Sequence, residues 1–192
     1  MENKSDNDAG WRLGELAEMV RTGADGGHPP VDTWNPPYCG DIGLAIRADG
    51  SWLYRQSPIE RPALVRLFAS VLRKDADGKT YLVTPAEKVD VAVADAPFLA
   101  VEMEVGGSAL RQVIMFRTNV DDVISCGPEH PLRFAVDAKT GAIKPYVRVR
   151  GRLEALVTRT LTHDLLEMAV MEEPPGVRSG GVLFVIPDAG PP

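Results

Sequence analysis

The sequence predicts an α+β protein composed of two structurally related hairpin-helix-strand units. Apolar and polar residues alternate with period two in several segments, which is typical of half-buried strands. Two further segments carry apolar residues at helical spacing, and the same order of elements occurs twice along the 192 residues. We therefore predict a tail with a short helix (residues 1–28), a first unit (29–97) and a second unit (98–192).

The first region is predicted to be a polar tail followed by a short amphipathic helix. Apolar residues at helical spacing lie between positions 11 and 20: Trp11, Leu13, Leu16, Met19 and Val20. Glycines from Gly23 onward end this pattern, and the stretch GADGGHPP is typical of a linker.

The first unit is predicted to open with a β-hairpin and to continue with a helix and two strands. Ile42, Leu44 and Ile46 alternate along one strand, and the sequence ADG that follows is a strong turn signal before the strand SWLY. The strands are expected at TYLVTP and VDVAV.

The helix of the first unit has two candidate starting points. Ser57, Pro58 and Glu60 form a capping-box pattern, whereas Pro62 either kinks the first turn or begins the regular helix. Its apolar face is expected to consist of Leu64, Leu67, Phe68, Val71 and Leu72.

The second unit is predicted to contain strands, a hairpin, a helix and a final strand. FLAVEMEV should turn at the sequence GGS into RQVIMFR, and HPLRFAVD should pair with AIKPYVRVR around the turn KTG. A helix is expected directly afterwards, interrupted near the threonines at 158, 160 and 162, and LFVIP is expected as a strand. The predicted helical residues are Leu153, Leu156, Val157, Leu161 and Leu165.

The order hairpin, arginine, helix, strand, proline occurs in both halves, with Arg61 in the first and Arg150 in the second. In this alignment the helical positions 64, 67, 68, 71 and 72 fall opposite 153, 156, 157, 160 and 161. Because hairpin-helix units are common, chance similarity is the alternative. We favour an internal duplication.

Composition narrows the classes of function. A net charge of -6 and a pI near 5.1 argue against a general nucleic-acid binder or a protein of anionic membranes. The start of the chain lacks the pattern of a secretory signal, and no apolar stretch approaches the roughly 20 residues of a membrane span. We expect a cytoplasmic protein.

Several candidate catalytic and metal motifs fail on spacing. The sequence GKT lacks the earlier glycine of a phosphate loop, since Arg73 stands there, and the same arginine occupies the first position of a possible calcium loop. Neither Cys39 nor Cys126 lies in a nucleophile or zinc motif. We therefore expect no metal and no cofactor, and we lean against an enzyme.

The segment KPYVRVRGR is the strongest functional lead. Alternate residues of a strand share a face, so Lys144, Tyr146, Arg148 and Arg150 are predicted on one side, with the intervening valines on the other. Such cations could pair with phosphate or carboxylate. The alternative is a solvated face neutralised by acids that include Asp137 and Glu154.

The segment WNPPYCGDI, residues 34–42, combines rigid prolines with polar and aromatic side chains. The prolines and Gly40 predict a stiff lead-in to the first hairpin. Trp34, Asn35, Tyr38 and Asp41 then either contact a ligand or pack the lead-in, and we favour packing because aromatic side chains are usually buried.

Long ordered blocks of the sequence resemble a bacterial family without an assigned activity, domain-of-unknown-function family 1285. The blocks are PPVDTWNPPYCGDI, DGSWLYRQSPIERPALVRLFASVLR, YLVTPAEKV, FRTNVDDVISCGPEHPLRF, KPYVRVRGRLEAL and GVRSGG. The resemblance covers about residues 29–187. It implies an α+β fold with two related units, the second similar to a pleckstrin-homology-like barrel. It also implies a ligand site between the units, for a nucleotide-like molecule in signalling.

The resemblance supplies candidate binding residues but no catalytic ones. The candidates within its blocks are Trp34, Asn35, Tyr38, Asp41, Asn119, Asp122, His130, Arg133, Tyr146, Arg148 and Arg150. Arg178 in GVRSGG stands where the family pattern suggests an aromatic residue, which argues against stacking there.

We therefore expect a sensor or binding protein in which Arg148 and Arg150 take phosphate and Trp34 or Tyr38 stacks on a base. The alternative is a protein-interaction adaptor that binds through Trp52, Tyr54 or the segment 11–20. A hydrolase that uses Asp121, Asp122 and His130 is the least favoured hypothesis, since those side chains would have to converge.

Overall fold

The chain forms a sheet-rich α+β structure with two compact units, unit 1 up to Ala94 and unit 2 from Asp95, as seen in a computed structural model. The structure describes residues 28–107, 109–169 and 174–187, together with Gly14. Apart from Gly14, the helix predicted at 11–20 therefore lies outside the described residues. The unit boundary falls three residues before the predicted one at 97/98.

The described part of unit 1 consists of a six-stranded sheet, one α-helix and a short 3-10 turn at Val31–Thr33. The elements in chain order are β1 (Tyr38–Ile46), β2 (Trp52–Tyr54), β3 (Ser57–Pro58), α1 (Pro62–Ser70), β4 (Leu72–Lys74), β5 (Thr80–Val83) and β6 (Lys88–Val93). The strand order is β3-β2-β1-β6-β5-β4, with β1 and β6 parallel and the other neighbours antiparallel.

Unit 2 contains a second six-stranded sheet, one α-helix and a two-stranded hairpin among its described residues. The elements are β7 (Phe98–Gly106), β8 (Val113–Thr118), β9 (Val123–Ser125), β10 (Leu132–Val136), β11 (Ile143–Arg150), β12 (Leu153–Val157), α2 (Arg159–Glu167), β13 (Gly176–Ser179) and β14 (Val182–Val185). A short 3-10 turn at Ala109–Arg111 links β7 and β8. The sheet order is β10-β11-β12-β7-β8-β9, with β7 and β12 parallel.

The two predicted hairpins are confirmed. β1 pairs with β2 in antiparallel fashion around Asp49 and Gly50, whose φ of 81° suits the turn. β10 pairs with β11 around the turn that contains Gly141, with a φ of 67°. Both turns are local in sequence, and local turn chemistry is readable without tertiary information.

The early start of the first helix is wrong. Ser57 and Pro58 form β3 and pair with β2, and the helix begins at Pro62, after Arg61. Proline suits this position because its missing N–H would have no partner in the first helical turn. The helix also ends before Val71 and Leu72, which are fully buried but lie outside it.

The segment 153–157 is a strand rather than the predicted start of a helix. Leu153, Ala155 and Val157 are buried and alternate with less buried residues, while β12 pairs with β11 on one side and β7 on the other. The pairing of both edges outweighs helix propensity. The helix α2 begins only after Thr158, so the sequence alignment that placed 153–157 opposite α1 is wrong.

The core of each unit is built from large apolar side chains that the sheets bury. In unit 1 the fully buried set includes Leu44, Ile46, Trp52 and Phe68, and in unit 2 it includes Phe98, Ile114, Phe116 and Leu153. In the part of the chain that the structure describes, no helix has the length and apolarity needed to cross a membrane.

Candidate functional site

One surface of unit 2 brings together several predicted site residues. Arg133 on β10 lies directly opposite Tyr146 on β11, and Arg148 lies opposite Glu154 on β12. Residues directly opposite each other, and alternate residues of one strand, share a face of the sheet. We call the set Arg133, Lys144, Tyr146, Arg148 and Glu154 the arginine face.

Arg133 is held by two contacts on this face. Its Nε and Nη2 donate to the two carboxylate oxygens of Glu154 at 2.7 and 2.6 Å. Its guanidinium lies 4.1 Å from the ring centroid of Tyr146. The hydrogen bonds that Arg133 donates to Glu154 raise the pKa of its guanidinium, which stays charged. The side chain is 52% exposed, so solvent and solutes reach it.

Asp95 holds two further polar groups of the face, the hydroxyl of Tyr146 and the ammonium of Lys144. The Tyr146 hydroxyl donates to Asp95 Oδ1 at 2.7 Å, and Lys144 forms an ion pair with the same carboxylate. Burial, followed by this hydrogen bond, raises the pKa of Tyr146. Because Tyr146 is only 8% exposed and lies under Arg133, its ring is not free to stack on a ligand.

Arg148 differs from its neighbours on the arginine face. Its side chain is exposed, and no side-chain partner for it exists among the described residues. The acid directly opposite, Glu154, gives both of its oxygens to Arg133 instead. Only the backbone of Arg148 is engaged, since its carbonyl lies 3.1 Å from Nδ1 of His130. Arg148 thus presents a guanidinium to solvent.

Arg150 does not share this face, and the prediction that it does is wrong. The pairing register shifts between Arg148 and Arg150, so that Arg150 lies opposite the buried Leu153. Such a bulge places one extra residue in the strand and reverses the alternation of side chains. Arg150 instead donates to Asp122 at 3.0 Å and lies 5.2 Å from the ring centroid of Phe98.

The turn between β8 and β9 uses its polar residues to hold the backbone. The Asn119 side-chain oxygen accepts from the N–H of Leu99 at 3.0 Å. Asp121 has a φ of 70°, and the N–H of Asp122 donates to the Thr118 hydroxyl at 3.1 Å. These are turn and bridging functions, which the sequence presented as the alternative to acid-base chemistry.

The groups required for the hydrolase hypothesis have separate partners. Asp122 pairs with Arg150, whereas His130 contacts the backbone of Arg148. Among the described residues, no three histidine, cysteine, aspartate or glutamate side chains are grouped so that they could hold a metal ion. Burial raises the pKa of the Cys126 thiol to about 11, which disfavours the nucleophilic thiolate.

Arg73 fastens the lead-in segment of unit 1, residues 31–37. Nothing in the sequence indicated this contact, since Arg73 stood out there only as the residue that excluded a phosphate loop and a calcium loop. Nη1 of Arg73 donates to the carbonyls of Val31 and Trp34 at 2.7 and 2.8 Å. Its Nε donates to Asp75 at 2.6 Å. Trp34 is half-buried and Asn35 is exposed. A single arginine with distant backbone acceptors has no sequence signature, so no pattern could have revealed this contact.

Tyr38 and Asp41 lie on the same strand of unit 1. Tyr38 is 56% exposed, and its hydroxyl donates to Asp90, which raises the pKa of the phenol. Its ring packs edge-on against Tyr81, with the centroids 6.2 Å apart. Asp41 accepts from the N–H of Gly43 at 2.7 Å, which supports an irregular stretch of β1. The structure therefore gives both residues contacts within unit 1.

The segment GVRSGG forms β13 and its turn, and it fastens the hairpin to the main sheet of unit 2. The fully buried Ser179 hydroxyl accepts from the N–H of Ile114 at 2.9 Å and donates to the Cys126 carbonyl at 2.7 Å. Gln112 donates to the Arg178 carbonyl at 2.7 Å. This segment thus has a structural function through its backbone and Ser179.

Trp52 and Tyr54 are 2% and 4% exposed. The expectation that these two side chains contact a protein partner is therefore wrong, because a partner cannot reach them in this structure. Alternation of the short strand SWLY did not reveal that both of its faces are buried.

Two family models together match most of the chain. The N-terminal domain of DUF1285, a domain of unknown function, matches residues 29–96, and the C-terminal domain of DUF1285, described as a protein of unknown function, matches residues 97–186. None of the curated proteins matches this sequence.

Solved structures with a similar fold include two DUF1285 family proteins. The protein from Silicibacter pomeroyi DSS-3 is 44% identical, and the match covers 89% of this chain and 93% of that one with a TM-score of 0.83. The protein from Shewanella baltica OS155 is 23% identical, with 66% and 91% coverage and a TM-score of 0.51. The second likeness is one of fold alone.

Proposed function

The chain belongs to the DUF1285 family, and from this premise we propose that it is a non-enzymatic binding protein that holds an anionic small molecule at the arginine face of unit 2. The observation that carries this proposal is the exposed guanidinium of Arg148. The neighbouring acid, Glu154, accepts hydrogen bonds from Arg133 with both of its oxygens. Arg133 is paired with Glu154 and Lys144 with Asp95, and Asp137 lies within electrostatic range of Lys144, so Arg148 is the cation of this face that has no acid partner among the described residues.

A phosphate or carboxylate group suits this arrangement. Arginine presents a planar fork of donors that matches both groups and stays charged at any physiological pH. All the N–H donors of the Arg148 guanidinium are available to a ligand, and the exposed part of the Arg133 guanidinium can contribute further donors. The phosphate of a nucleotide-like molecule is the ligand class that we expect, with the protein acting as a sensor in signalling. A base would need an aromatic ring other than the covered Tyr146.

We also propose that the two units arose by internal duplication. When the strands of each unit are numbered from its own first strand, both sheets have the order 3-2-1-6-5-4, with the first and last strands parallel. This shared order supports duplication in a different alignment from the one in the sequence, because β1 then corresponds to β7. Similarity of unit 2 to a pleckstrin-homology-like barrel remains a proposal that rests on the family resemblance.

The first test replaces Arg148 with glutamine and measures binding of pyrophosphate and nucleoside phosphates by calorimetry. Loss of a charged hydrogen-bond donor should weaken binding by about 10-fold or more. Arg152→Gln, in the exposed turn after β11, is the matched control and should bind like the unchanged protein. Absence of binding to every anion, or equal weakening by both variants, would contradict the proposal.

The second test removes the internal competitor. Glu154→Gln keeps the size of the side chain but frees the fork of Arg133 from a carboxylate, so anion affinity should rise by about 5- to 10-fold. Glu102→Gln changes an exposed ion pair with Arg117 elsewhere in unit 2 and controls for the general change in charge. If both variants raise the affinity equally, the effect is one of net charge and Arg133 does not bind the ligand.

A further inference from the structure

In the described part of unit 1, two buried side-chain atoms have no hydrogen-bond partner. They are Nε1 of Trp52 and Oη of Tyr54. Both side chains are almost completely enclosed. Buried polar groups in native proteins nearly always have a partner, so each exception requires an explanation such as a bound molecule.

The two atoms belong to one side of one strand. Trp52 and Tyr54 are alternate residues of β2, and they lie opposite Ile46 and Leu44 of β1. Both opposite residues are 1% exposed, and the ring of Phe68 packs against Trp52 with 6.3 Å between centroids. The side chains that face these two residues from β1 and α1 are therefore apolar, and burying an ion against them would cost its hydration.

The chemistry of the two groups limits what can bind. The indole N–H only donates, so an occupant must offer an acceptor, whereas the tyrosine hydroxyl either donates or accepts. An uncharged carbonyl, hydroxyl or ether oxygen of the bound molecule can accept the hydrogen bond from the indole N–H of Trp52. A second lone pair on that oxygen can accept from the Tyr54 hydroxyl, or a hydroxyl of the molecule can donate to it. Water is the smallest molecule with these properties, and a small organic molecule with such an oxygen is the larger one.

The turn that follows β2 supplies a route of access. Arg55 and Gln56 have φ values of 47° and 70°, which is the geometry of a two-residue type I′ turn between the paired residues Tyr54 and Ser57. β3 is a two-residue strand at the edge of the sheet, and the Arg55 guanidinium lies 5.3 Å from the ring centroid of Tyr54. Opening of this short hairpin would uncover Tyr54.

We propose that Trp52 Nε1 and Tyr54 Oη form an enclosed binding site of unit 1 for a small uncharged molecule that presents a hydrogen-bond acceptor. The site is independent of the arginine face, since its residues lie in the other unit and carry no charge. Loss of anion binding at Arg148 therefore leaves this proposal standing.

The first experiment measures thermal unfolding of the full chain with Tyr54→Phe. If the hydroxyl bonds to an occupant, the midpoint should fall by about 2 to 4 °C, as expected for a lost hydrogen bond in a chain of this size. Tyr146→Phe, which loses a described bond to Asp95, provides the reference shift. An unchanged or higher midpoint for Tyr54→Phe would show that the hydroxyl has no partner and would overturn the proposal.

The second experiment observes the indole of Trp52 directly. The chain has three tryptophans, so Trp11→Phe with Trp34→Phe leaves one indole N–H signal in a nitrogen-15 NMR spectrum. A downfield proton shift with a long-lived transfer of magnetisation from water identifies water as the occupant. A saturable shift on titration with cyclohexanone or dimethylformamide identifies an organic acceptor. If the signal is typical of a free indole, shows no transfer from water and does not shift on titration, the proposal is wrong.

Discussion

Replacing Gly180 with alanine is expected to destabilise the protein by about 3 to 5 kcal/mol, whereas Gly181→Ala should cost only about 1 to 2 kcal/mol. Both glycines have left-handed backbones, with φ values of 57° and 78°, so both changes carry the conformational cost. Only at Gly180 would a Cβ atom also meet backbone, at 2.9 Å from Gly127 Cα and 3.0 Å from the Cys126 carbonyl oxygen. Nothing lies within 4 Å of a Cβ at Gly181.

The difference between these two neighbours isolates close packing from backbone strain. Denaturant unfolding of both variants measures it, and equal losses of stability would show that the contact with the segment 126–128 does not restrict position 180. A shift there would also disturb Ser179, whose hydroxyl bridges Ile114 and Cys126, and the Gly180 N–H, which donates to Gln112 at 2.9 Å. The hairpin β13–β14 should therefore loosen in Gly180→Ala, which faster amide exchange at Ile114 would reveal.

Replacing Arg73 with methionine is expected to lower the free energy of unfolding by about 2 to 3 kcal/mol. The change removes the donors to the carbonyls of Val31 and Trp34 and leaves Asp75 with Lys88, at 3.2 Å, as its remaining described ion pair. Methionine keeps most of the apolar stem, so lost packing contributes little. The estimate is below the value for a fully buried pair because the Arg73 side chain is 15% exposed.

Arg117→Met provides the comparison for Arg73. Arg117 pairs with Glu102 at 2.8 Å, but both side chains are well exposed, and such a surface pair should contribute no more than about 1 kcal/mol. Amide exchange at Trp34, whose N–H bonds to Val31, should accelerate in Arg73→Met and stay unchanged in Arg117→Met. Equal effects of the two substitutions on stability would show that Arg73 does not fasten the lead-in segment.

Local signals in the sequence predicted much of the fold. The alternation of residues 42–46 and the Asp49-Gly50 turn predicted the first hairpin, and the start of α1 at Pro62 was one of the two alternatives that its backbone chemistry allowed. The resemblance to family 1285 is also confirmed, because long ordered blocks are specific where single motifs are not. These features depend on neighbours within a few residues, or on order along the chain.

The main errors of the sequence-based prediction concern strands that pair over long distances along the chain. Leu153, Leu156 and Val157 suit a helical face as well as a strand, and only the two neighbouring strands of β12 decide between them. The bulge between Arg148 and Arg150 depends on how β11 pairs with β12. Alternation along β11 therefore placed Arg150 on the wrong face of the sheet.

The sequence alone determined that the chain forms two α+β units and where their tight turns lie. It also determined the alternation that puts Lys144, Tyr146 and Arg148 on one face. Tertiary structure decided which of those charges remain available: Arg133 takes Glu154, Lys144 and Tyr146 share Asp95, Arg150 turns to Asp122, and Arg148 is left exposed. The physical reason is that alternation is a property of one strand, whereas a charge acquires its partner from strands and loops that lie far away in the sequence.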